Sequence, residues 1–246
     1  MQNVSDHLDW QRAKLPHRKT LQGRFVRLEK LNCVLHADDL WNACHGPDSD
    51  PHLWDFFFAG PFTAWTEFFA WLALRDSDPD RWTYVVIDQN TGEAEGFLAL
   101  RFAVPVHGRI EIGSVTFGAG MQRTPKSTEA LYLLAKEAFA LGYRRLEWSS
   151  SQANARSHRS AQRFGFRLEG VLRQHVVFKG QNSDNAWYSI IHEEWPVVER
   201  ACQVWLAPEN FDEQGGQKNT LENIRASLKA IDAAKDKTLQ TDKESA

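Results

Sequence analysis

The amino-acid sequence predicts a single α+β domain, in which about four helices pack on a mixed, mostly antiparallel and twisted sheet of about seven strands. Three observations lead to this fold class. Strand-like runs separated by turn residues follow one another between residues 82 and 117. Helical and strand patterns alternate after residue 128. The chain has 246 residues, 42% of them hydrophobic, which is enough for one large core.

The first elements precede these strand-like runs. Residues 1–22 are expected to form an N-terminal arm, and the first strand is expected after Gly23. Residues 36–41 have the pattern of a short capped helix. Apolar residues at helical spacing predict a second helix with Thr63 as its N-cap, and the spacing places them in the core. These residues are Phe62, Trp65, Phe69 and Leu72.

The middle of the chain predicts a three-stranded antiparallel meander. Strands are expected from Trp82 and from Glu95, joined by a hairpin turn of the sequence Asn-Thr-Gly at residues 90–92. A second turn at His107–Gly108 leads to a third strand over residues 109–117. Because consecutive strands joined by short turns usually pair, we expect these three to form one sheet.

Helices and strands alternate in the second half of the chain. A helix with one apolar face is predicted over residues 128–141, and a strand follows it. The next helix covers residues 154–164, and each of the two helices is followed by a glycine, a common C-terminal signal. The last two strands are predicted over residues 166–178 and 186–195, with residues 179–185 as their turn.

The domain is predicted to end near residue 197, because the sequence from Pro208 onwards is polar and mixed in charge. Residues 198–246 are therefore expected to form a polar C-terminal tail. One set of apolar residues has the spacing of an amphipathic helix: Leu221, Ile224, Leu228 and Ile231. Two alternatives follow, a helix docked on the domain or a partner, and a frayed tail, of which the second is favoured.

Charge, cysteine and histidine patterns exclude several function classes. The 29 basic and 32 acidic residues give a formal charge of −3, so nucleic acid is not expected as a partner. Three scattered cysteines form neither a disulfide framework nor a zinc cluster, and the nine histidines lack metal-ligand spacing, so we expect no metal. Without a secretory signal or an apolar run of about 20 residues, we expect a cytoplasmic protein with no membrane partner.

The most informative segment is a strand–loop–helix junction at residues 110–131. The start of a helix exposes unpaired N–H groups and the positive end of its dipole, and both favour a phosphate group. Arg123 and Lys126 add positive charge at this point. Every such junction has free amides, however, and a capped helix with solvated Arg and Lys side chains is the alternative interpretation.

Six motifs occur in a characteristic order. They are E-I-G (Glu111–Gly113), T-E-A-L (Thr128–Leu131), L-G-Y-R-R-L-E-W (Leu141–Trp148), N-A-R-S (Asn154–Ser157), G-F-R-L-E-G-V-L-R (Gly165–Arg173) and the segment Trp187–Trp195. The ordered set resembles the GNAT acetyltransferases, in particular the RimJ/RimL-like group that includes ribosomal-protein N-terminal acetyltransferases. The resemblance implies a GNAT domain over residues 23–197. It also implies direct transfer of an acetyl group from acetyl-CoA, as cosubstrate, to an amine.

The resemblance places the pyrophosphate loop of the family, R/Q-x-x-G-x-G/A, on residues 122–127. Gln122 fits this pattern, whereas Pro125 and Ser127 replace small residues. Proline has no N–H, so one amide donor to phosphate is lost, although proline is favourable in the first turn of a helix. The implied cofactor-binding residues of the loop are Gln122, Arg123, Thr124, Lys126 and Ser127.

Further cofactor contacts are implied on either side of this loop. The backbone of Val115, Thr116 and Phe117 matches the segment that pairs with the pantetheine arm in the family. Asn154 and Ser157 match residues beside the same arm, although Asn followed by Ser is also an ordinary helix N-cap sequence.

The acid that protonates the leaving thiolate has no obvious candidate. Many relatives carry a tyrosine where this chain has Ala161. Ser157 is therefore the default hydroxyl donor, with solvent as the alternative.

Glu111 is the candidate general base. An amine is mostly protonated near neutral pH and must lose a proton before it attacks. Because strand residues alternate, Glu111 points to the face opposite to Ile110 and Ile112. In GNAT enzymes this strand lines the acetyl site. A glutamate on a solvated sheet face, or one paired with an arginine, is the alternative interpretation.

The aromatic segment between the first two long strands is the candidate acceptor site, since the family receives its acceptor there. The implied substrate-binding residues are Trp54, Phe56, Phe57 and Phe58. The three consecutive phenylalanines cannot all face inward on one element, so at least one is expected at a cleft or an interface. A pocket for a small amine or a protein N-terminus is one interpretation, and a homodimer contact is the other.

Three functions remain open at this point. The first is an amine N-acetyltransferase of unknown acceptor. The second is an N-terminal acetyltransferase that acts on a ribosomal or other protein. The third is a GNAT-like protein that binds an acyl-CoA or a partner without catalysis, which Pro125 and Ala161 motivate.

Overall fold

The computed structural model describes residues 10–244, with side chains to residue 235. Its strands are β1 (Thr20–Gln22), β2 (Val26–Lys30), β3 (Arg81–Asp88), β4 (Ala94–Val104), β5 (Arg109–Phe117), β6 (Arg145–Ser151), β7 (Arg167–Phe178) and β8 (Gln181–Ile191). Its α-helices are α1 (Cys33–His45), α2 (Trp65–Asp76), α3 (Pro125–Ala140), α4 (Ala155–Phe164), α5 (Trp195–Leu206) and α6 (Leu221–Glu244). None of these helices is long and apolar enough to cross a membrane.

All eight strands form one sheet in the order β1-β2-β3-β4-β5-β6-β8-β7. Neighbouring strands are antiparallel, except for the parallel pair β5 and β6. This architecture confirms the predicted α+β class and the mixed, mostly antiparallel sheet. The counts within the described residues, eight strands and six α-helices, exceed the expected seven and four.

Helices cover the two faces of the sheet unequally. On one face, α3, α4 and α5 pack on strands β2 to β6 and on β8 and form the larger core. On the other face, α1 and α2 pack only against the β2–β4 side, and none of the buried residues of this smaller core comes from β5 to β8. The second face is therefore open beyond β4, and polar side chains of β5, β6 and β8 lie there.

The C-terminal segment is more ordered than the sequence indicated. The buried helix α5 lies partly in the predicted tail and contributes Trp195, Ala201 and Trp205 to the larger core. In α6, Leu221 is buried and Ile224 and Leu228 pack against the same core. The favoured frayed tail is thus wrong for this part of the chain. The mean composition of this polar segment gives little weight to one apolar helix face, although that face packs on the domain.

The described part of the predicted N-terminal arm also lies against the domain. Strand β1 pairs with β2 at one edge of the sheet, and Ala13 is buried in the larger core. The indole Nε1 of Trp10 donates a hydrogen bond to the carbonyl of Gly142 (3.2 Å). Residues 1–9 of the predicted arm lie outside the described residues.

The connection between β7 and β8 is shorter than predicted. Lys179 (φ 48°) and Gly180 (φ 82°) form a two-residue turn with both residues in the left-handed region. Strand β8 therefore begins at Gln181, and the expected seven-residue turn is wrong. A Lys-Gly pair is a weaker turn signal than the polar run that follows it.

Helix α2 has a different buried face from the predicted one. It begins at Trp65 after the N-cap residue Ala64, so Phe62 precedes the helix. Its buried residues are Phe68, Trp71 and Leu72, whereas Trp65 is exposed and stacks on Phe69. The prediction is confirmed for Leu72, and Phe62 and Phe69 pack at the edge of the smaller core, but Trp65 is wrong as a core position, because several aromatic residues in succession satisfy helical spacing in more than one phase.

Glu129, the glutamate of the T-E-A-L motif, joins α3 to the edge of the sheet. Its carboxylate accepts hydrogen bonds from the backbone N–H groups of Arg24 (2.8 Å), Phe25 (2.6 Å) and Val26 (2.8 Å). A Cβ atom on Gly23 would lie 2.6 Å from this carboxylate, so only glycine allows the close approach. One buried carboxylate thus organises the turn between β1 and β2.

We expect Glu129→Ala to lower the free energy of unfolding by about 3–5 kcal/mol, because three backbone N–H groups lose their acceptor. Urea unfolding measures this change. Glu129→Gln keeps one acceptor oxygen and should lose less. The exposed control Glu213→Ala should change stability by no more than about 0.5 kcal/mol. An effect of Glu129→Ala as small as that of the control would contradict this role.

Candidate active site

The site begins where β5 and β6 separate. The two strands pair only over Arg109↔Arg145, Ile110↔Leu146 and Glu111↔Glu147, although β5 continues to Phe117 and β6 to Ser151. A cleft of about 1460 Å³ lies between and around the separated ends. Backbone groups on the facing edges have no strand partner there, so they are available to an extended ligand.

A β-bulge in β5 aims side chains at this cleft. The register between β4 and β5 shifts around Ser114, which has a φ of 53°. Bulges of this kind redirect a strand beside a functional site. After the bulge, Val115 and Phe117 line the cleft, whereas Thr116 is fully buried and its hydroxyl donates to the carbonyl of Ser114 (3.3 Å).

An ion pair is buried at the point of separation. Arg101 on β4 is the register partner of Glu111 on β5, and its Nε (3.1 Å) and Nη2 (2.6 Å) both donate to Glu111 Oε1. A Cβ atom on Gly113 would lie 2.3 Å from Arg101 Nε. Glycine at this position therefore gives the guanidinium room to lie across β5, which explains the E-I-G motif in physical terms.

Glu111 is 1% exposed and does not itself line the cleft. Its partners Arg101 and Ser149 do, and the Ser149 hydroxyl donates to the same Oε1 atom (3.1 Å). The pairing with an arginine, which the sequence left as an alternative, is present. The structure thus connects the carboxylate to the cleft through one serine hydroxyl.

The predicted pyrophosphate loop, residues 122–127, lies beside the cleft next to Phe117. Gln122, Arg123, Thr124 and Ser127 line the cleft. Lys126 does not, because its Nζ is held by Asp88 (2.8 Å) and Glu95 (2.5 Å). Burial alone would lower the pKa of Lys126, but these two carboxylates raise it overall. This placement does not support a role for Lys126 in binding a cofactor.

The start of α3 is free to bind an anion. Pro125 occupies the first turn, and the N-cap residue Thr124 makes no side-chain hydrogen bond to the helix. Instead, its hydroxyl donates to the carbonyl of Met121 (2.8 Å), and the hydroxyl of Ser127 donates to the carbonyl of Thr124 (3.0 Å). The first amides of α3 therefore keep their hydrogen-bonding capacity for a phosphate group.

The start of α4 borders the other side of the cleft. Asn154 caps the helix, since its Oδ1 accepts from the backbone N–H of Ser157 (3.1 Å). Trp148 Nε1 donates to Ser157 Oγ (2.9 Å). Because this contact uses a lone pair of the oxygen, the hydroxyl proton of Ser157 remains available to the cleft. Ala161, at the position where many relatives carry a tyrosine, is buried in the larger core and presents no hydroxyl group to the cleft.

The aromatic segment divides between the cleft and the core. Phe56, Phe57 and Phe58 line the cleft, and Phe58 is 71% exposed. Trp54, in contrast, is 2% exposed, and its Nε1 donates to the carbonyl of Cys44 (3.4 Å) in the smaller core. This position does not support a role for Trp54 in binding an acceptor.

Asp50 is a cleft residue that sequence reasoning missed. Its carboxylate accepts hydrogen bonds from Gln122 Nε2 (3.4 Å) and from the guanidinium of Arg156. The backbone N–H of His52, followed by Arg156 and Gln122, lowers the pKa of Asp50 against the opposing effect of burial. The aromatic segment is thereby attached to both sides of the cleft. No local motif marks this residue, because its partners are distant in sequence.

The charge of the cleft differs from that of the whole chain. Seven arginines line the cleft, namely Arg75, Arg81, Arg101, Arg123, Arg156, Arg159 and Arg163. Only three acidic residues do so, Asp50, Asp55 and Glu222. A positive cleft in a chain with a formal charge of −3 suits a polyanionic small ligand. The described residues contain no group of three or more potential metal ligands.

The separated strands, the two helix starts and the positive cleft suit an extended, phosphate-bearing ligand, and comparisons with known proteins identify the class of enzyme as an acyltransferase. A family profile for the acetyltransferase (GNAT) domain matches residues 28–167. None of the curated proteins matches the chain significantly. The chain belongs to the GNAT acetyltransferase family.

Solved structures show the same relationship. The structure of a GCN5-related N-acetyltransferase from Brucella melitensis is 43% identical, with a TM-score of 0.86, and the match covers 89% of this chain and 99% of that one. A probable acetyltransferase of the GNAT family from Chromobacterium violaceum is 38% identical, with a TM-score of 0.74 over 80% of this chain and 98% of that one.

A more distant structural match acts on a ribosomal protein. It is an acetyl transferase from Salmonella typhimurium that modifies the N-terminal serine of ribosomal protein L7/L12. That protein is 20% identical to this chain, with a TM-score of 0.58 over 69% of this chain and 96% of that one. At this identity the match shows the shared fold alone.

We expect Gly113→Ala to displace Arg101 and to weaken its ion pair with Glu111, which should lower the free energy of unfolding by about 3 kcal/mol. Gly170→Ala in β7 is a matched control, because a Cβ atom there meets nothing within 4 Å. Urea unfolding of both variants measures the difference. Equal stability of the two variants would show that Arg101 moves aside without cost.

Proposed function

We propose that this chain is an acetyl-CoA-dependent N-acetyltransferase that transfers an acetyl group directly to a primary amine. The separation of β5 and β6 after Glu111 is the observation that carries this proposal. It opens a cleft that continues without interruption to the free amides of α3. An extended thioester with a phosphate-rich end fits this combination of edge groups, helix start and arginines.

The residues that would hold acetyl-CoA follow from their positions on the cleft. Gln122, Arg123, Thr124 and Ser127 would contact its phosphates, together with the first amides of α3. The backbone of β5 at residues 115–117 would contact its pantetheine arm. When bound, acetyl-CoA supplies the acetyl group as an activated thioester. Pro125 removes an N–H at the first turn of a helix, where proline is well tolerated, so the loop remains suited to phosphate.

Glu111 and Ser149 form a path for the proton that leaves the amine. Ser149 Oγ lies at the cleft and donates to Glu111 Oε1. As the amine gives its proton to Ser149 Oγ, the serine passes its own proton to Glu111 Oε1, and Arg101 holds the carboxylate in place. Buried carboxylate, serine and arginine thus act as one unit.

Ser157 supplies a hydroxyl proton on the opposite side of the cleft. Its Oγ accepts a hydrogen bond from Trp148 Nε1, and this contact leaves the hydroxyl proton free to be donated to another group. The position beside the start of α4 makes Ser157 the hydroxyl donor to a leaving sulfur.

The protein N-terminus remains a second candidate acceptor. The cleft is large, and Phe56 and Phe58 are exposed at its side, as a peptide-binding surface requires. A RimJ/RimL-like grouping and a ribosomal acceptor would place this chain beside the Salmonella protein described above. The similarity between this chain and the Salmonella protein is a similarity of fold.

Release of free thiol from acetyl-CoA with a panel of small amines and N-terminal peptides tests the proposed function. We expect release that depends on one class of amine. Binding of coenzyme A without turnover on any member would instead favour a non-catalytic acyl-CoA-binding protein. Absence of coenzyme A binding would contradict both.

We expect Glu111→Gln to lower kcat by about 100-fold or more near neutral pH, as loss of a general base does. As the pH is raised, the wild-type rate should reach its plateau at a pH below the pKa of the amine. The rate of the variant should instead rise in proportion to the fraction of amine that is unprotonated. Ser149→Ala should give the same altered pH–rate profile. The neighbouring buried carboxylate provides the control, because Glu147→Gln should leave the shape of the profile unchanged. Identical profiles for wild type and Glu111→Gln would remove Glu111 from this role.

Ser157→Ala should lower kcat by about tenfold with little change in the dissociation constant of coenzyme A, because the hydroxyl acts on the leaving sulfur. Pre-steady-state kinetics and calorimetry separate these two quantities. Ser227→Ala, at an exposed position of α6 outside the cleft, is the control and should change neither quantity. A loss of coenzyme A affinity with unchanged kcat would make Ser157 a binding residue only.

A further inference from the structure

Three arginines lie close together in the cleft beside the middle of β5, where Arg101 contacts Glu111 and Arg81 contacts Ser114. Arg75 comes from α2, Arg81 from β3 and Arg101 from β4, and all three line the cleft. Arg81 Nη1 donates to Ser114 Oγ (2.8 Å), and its Nε lies 3.4 Å from Asp78 Oδ2. Arg101 is paired with Glu111. This arginine cluster was not visible in the sequence, because the register of the sheet brings its members together.

The arginine cluster has more positive than negative charge. Arg81 pairs with Asp78 and Arg101 with Glu111, whereas Arg75 forms no ion pair with the described residues. Its guanidinium instead lies 4.8 Å from the centre of the Trp71 ring. The nearby Asp76 accepts a hydrogen bond from the backbone N–H of Cys33 (3.0 Å). One guanidinium in the cleft is therefore left without a carboxylate partner.

The electrostatics of the arginine cluster favour the binding of an anion. Burial lowers the pKa of Arg75, and the charge of Arg101 lowers it further against the effect of Asp78. Burial likewise lowers the pKa of Arg81, with Arg101 and then Arg75 adding to the effect. The three guanidinium groups repel one another, and a bound anion would relieve this repulsion.

An unpartnered donor lies beside the same group. Trp71 is 9% exposed and lines the cleft, and its buried Nε1 has no hydrogen-bond partner among the described residues. Because this atom is buried, the N–H group is enclosed and is not presented to the cleft. Arg75 stacks on the indole, so the ring helps to fix the position of the guanidinium.

The position of the arginine cluster separates it from the pyrophosphate loop. Arg81 contacts Ser114, and roughly 10 Å of extended strand lie between Ser114 and Phe117, whose carbonyl accepts a hydrogen bond from Gln122 of the loop. An anion bound by the arginine cluster therefore lies near the proton path, on the acceptor side of the cleft. It is not a phosphate of the cosubstrate.

We propose that Arg75 and Arg81 bind a carboxylate of the acceptor, so that the acceptor is an amine that also carries a carboxylate group. Guanidinium groups pair with carboxylates in a planar, two-point geometry. A singly charged anion matches the single unpaired guanidinium. The carboxylate can belong to a free amino acid or to an acidic side chain near a peptide N-terminus. This inference rests on the proposed acetyl transfer and specifies its substrate class.

Matched acceptors test the inference. A short peptide with glutamate at its second position is compared with the same peptide carrying glutamine, and a free amino acid is compared with its amide. We expect the carboxylate member of at least one pair to have a kcat/KM about tenfold higher or more. The pair that shows the preference identifies the source of the carboxylate. Equal kcat/KM values within both pairs would overturn the inference.

Variants locate the effect at the arginine cluster. Arg75→Gln should lower kcat/KM for the carboxylate acceptor about tenfold and leave the amide acceptor unchanged. Arg75→Lys should retain part of the preference. Lys229→Gln, at an exposed position of α6 outside the cleft, should have no effect on either acceptor. An equal loss on both acceptors in Arg75→Gln would assign that residue a purely structural role and overturn the inference.

Failure of the proposed function is distinguishable from failure of this inference. If neither member of a pair is acetylated, calorimetric titration with the glutamate peptide still tests the arginine cluster. Binding to the wild-type protein that is lost in Arg75→Gln would support the carboxylate site. No binding of the glutamate peptide and of the free amino acid to the wild-type protein would overturn it.

Discussion

The buried ion pair between Arg101 and Glu111 is the interaction on which the site depends. Glu111 is followed in the sheet by Glu147, its register partner on β6, so two buried carboxylates lie side by side. Arg101 neutralises the first, and Arg109 and Arg145 pair with the second. Removing one partner of a buried ion pair lowers the free energy of unfolding by about 3–5 kcal/mol, so this row of charges holds β4, β5 and β6 in register. The strands separate immediately after it.

The cleft opens immediately after this row of charges. The free edges of β5 and β6 lead to the starts of α3 and α4, whose amides and nearby arginines suit phosphates. Arg75 and Arg81 line the same cleft, and Arg81 is bonded to Ser114 at the bulge of β5. The carboxylate of Glu111 is connected to the cleft through Ser149. In the proposed reaction, cosubstrate, amine proton and acceptor carboxylate would each use different donors of one cleft.

Local patterns were sufficient for much of the fold, and the failures have physical causes. Strands β3 and β4 were visible as β-rich runs between turns, because both of their faces are buried, and α3 was visible because its one apolar face meets the larger core. Docking of α6 was the less favoured of two alternatives, because the composition of the tail as a whole is polar. In the site, Ser127 and Ser157 followed from motif order. The arginine cluster, Asp50 and the Lys126 ion pairs did not, since each depends on residues far apart in sequence.

A crystal structure of the protein with coenzyme A tests the central claim most directly. The account predicts that the pantetheine arm lies between β5 and β6, against the backbone of residues 115–117, with the pyrophosphate at the start of α3. The Arg101–Glu111 ion pair should remain in place. Coenzyme A bound elsewhere, or β6 paired with β5 beyond Glu111 in that complex, would contradict the account.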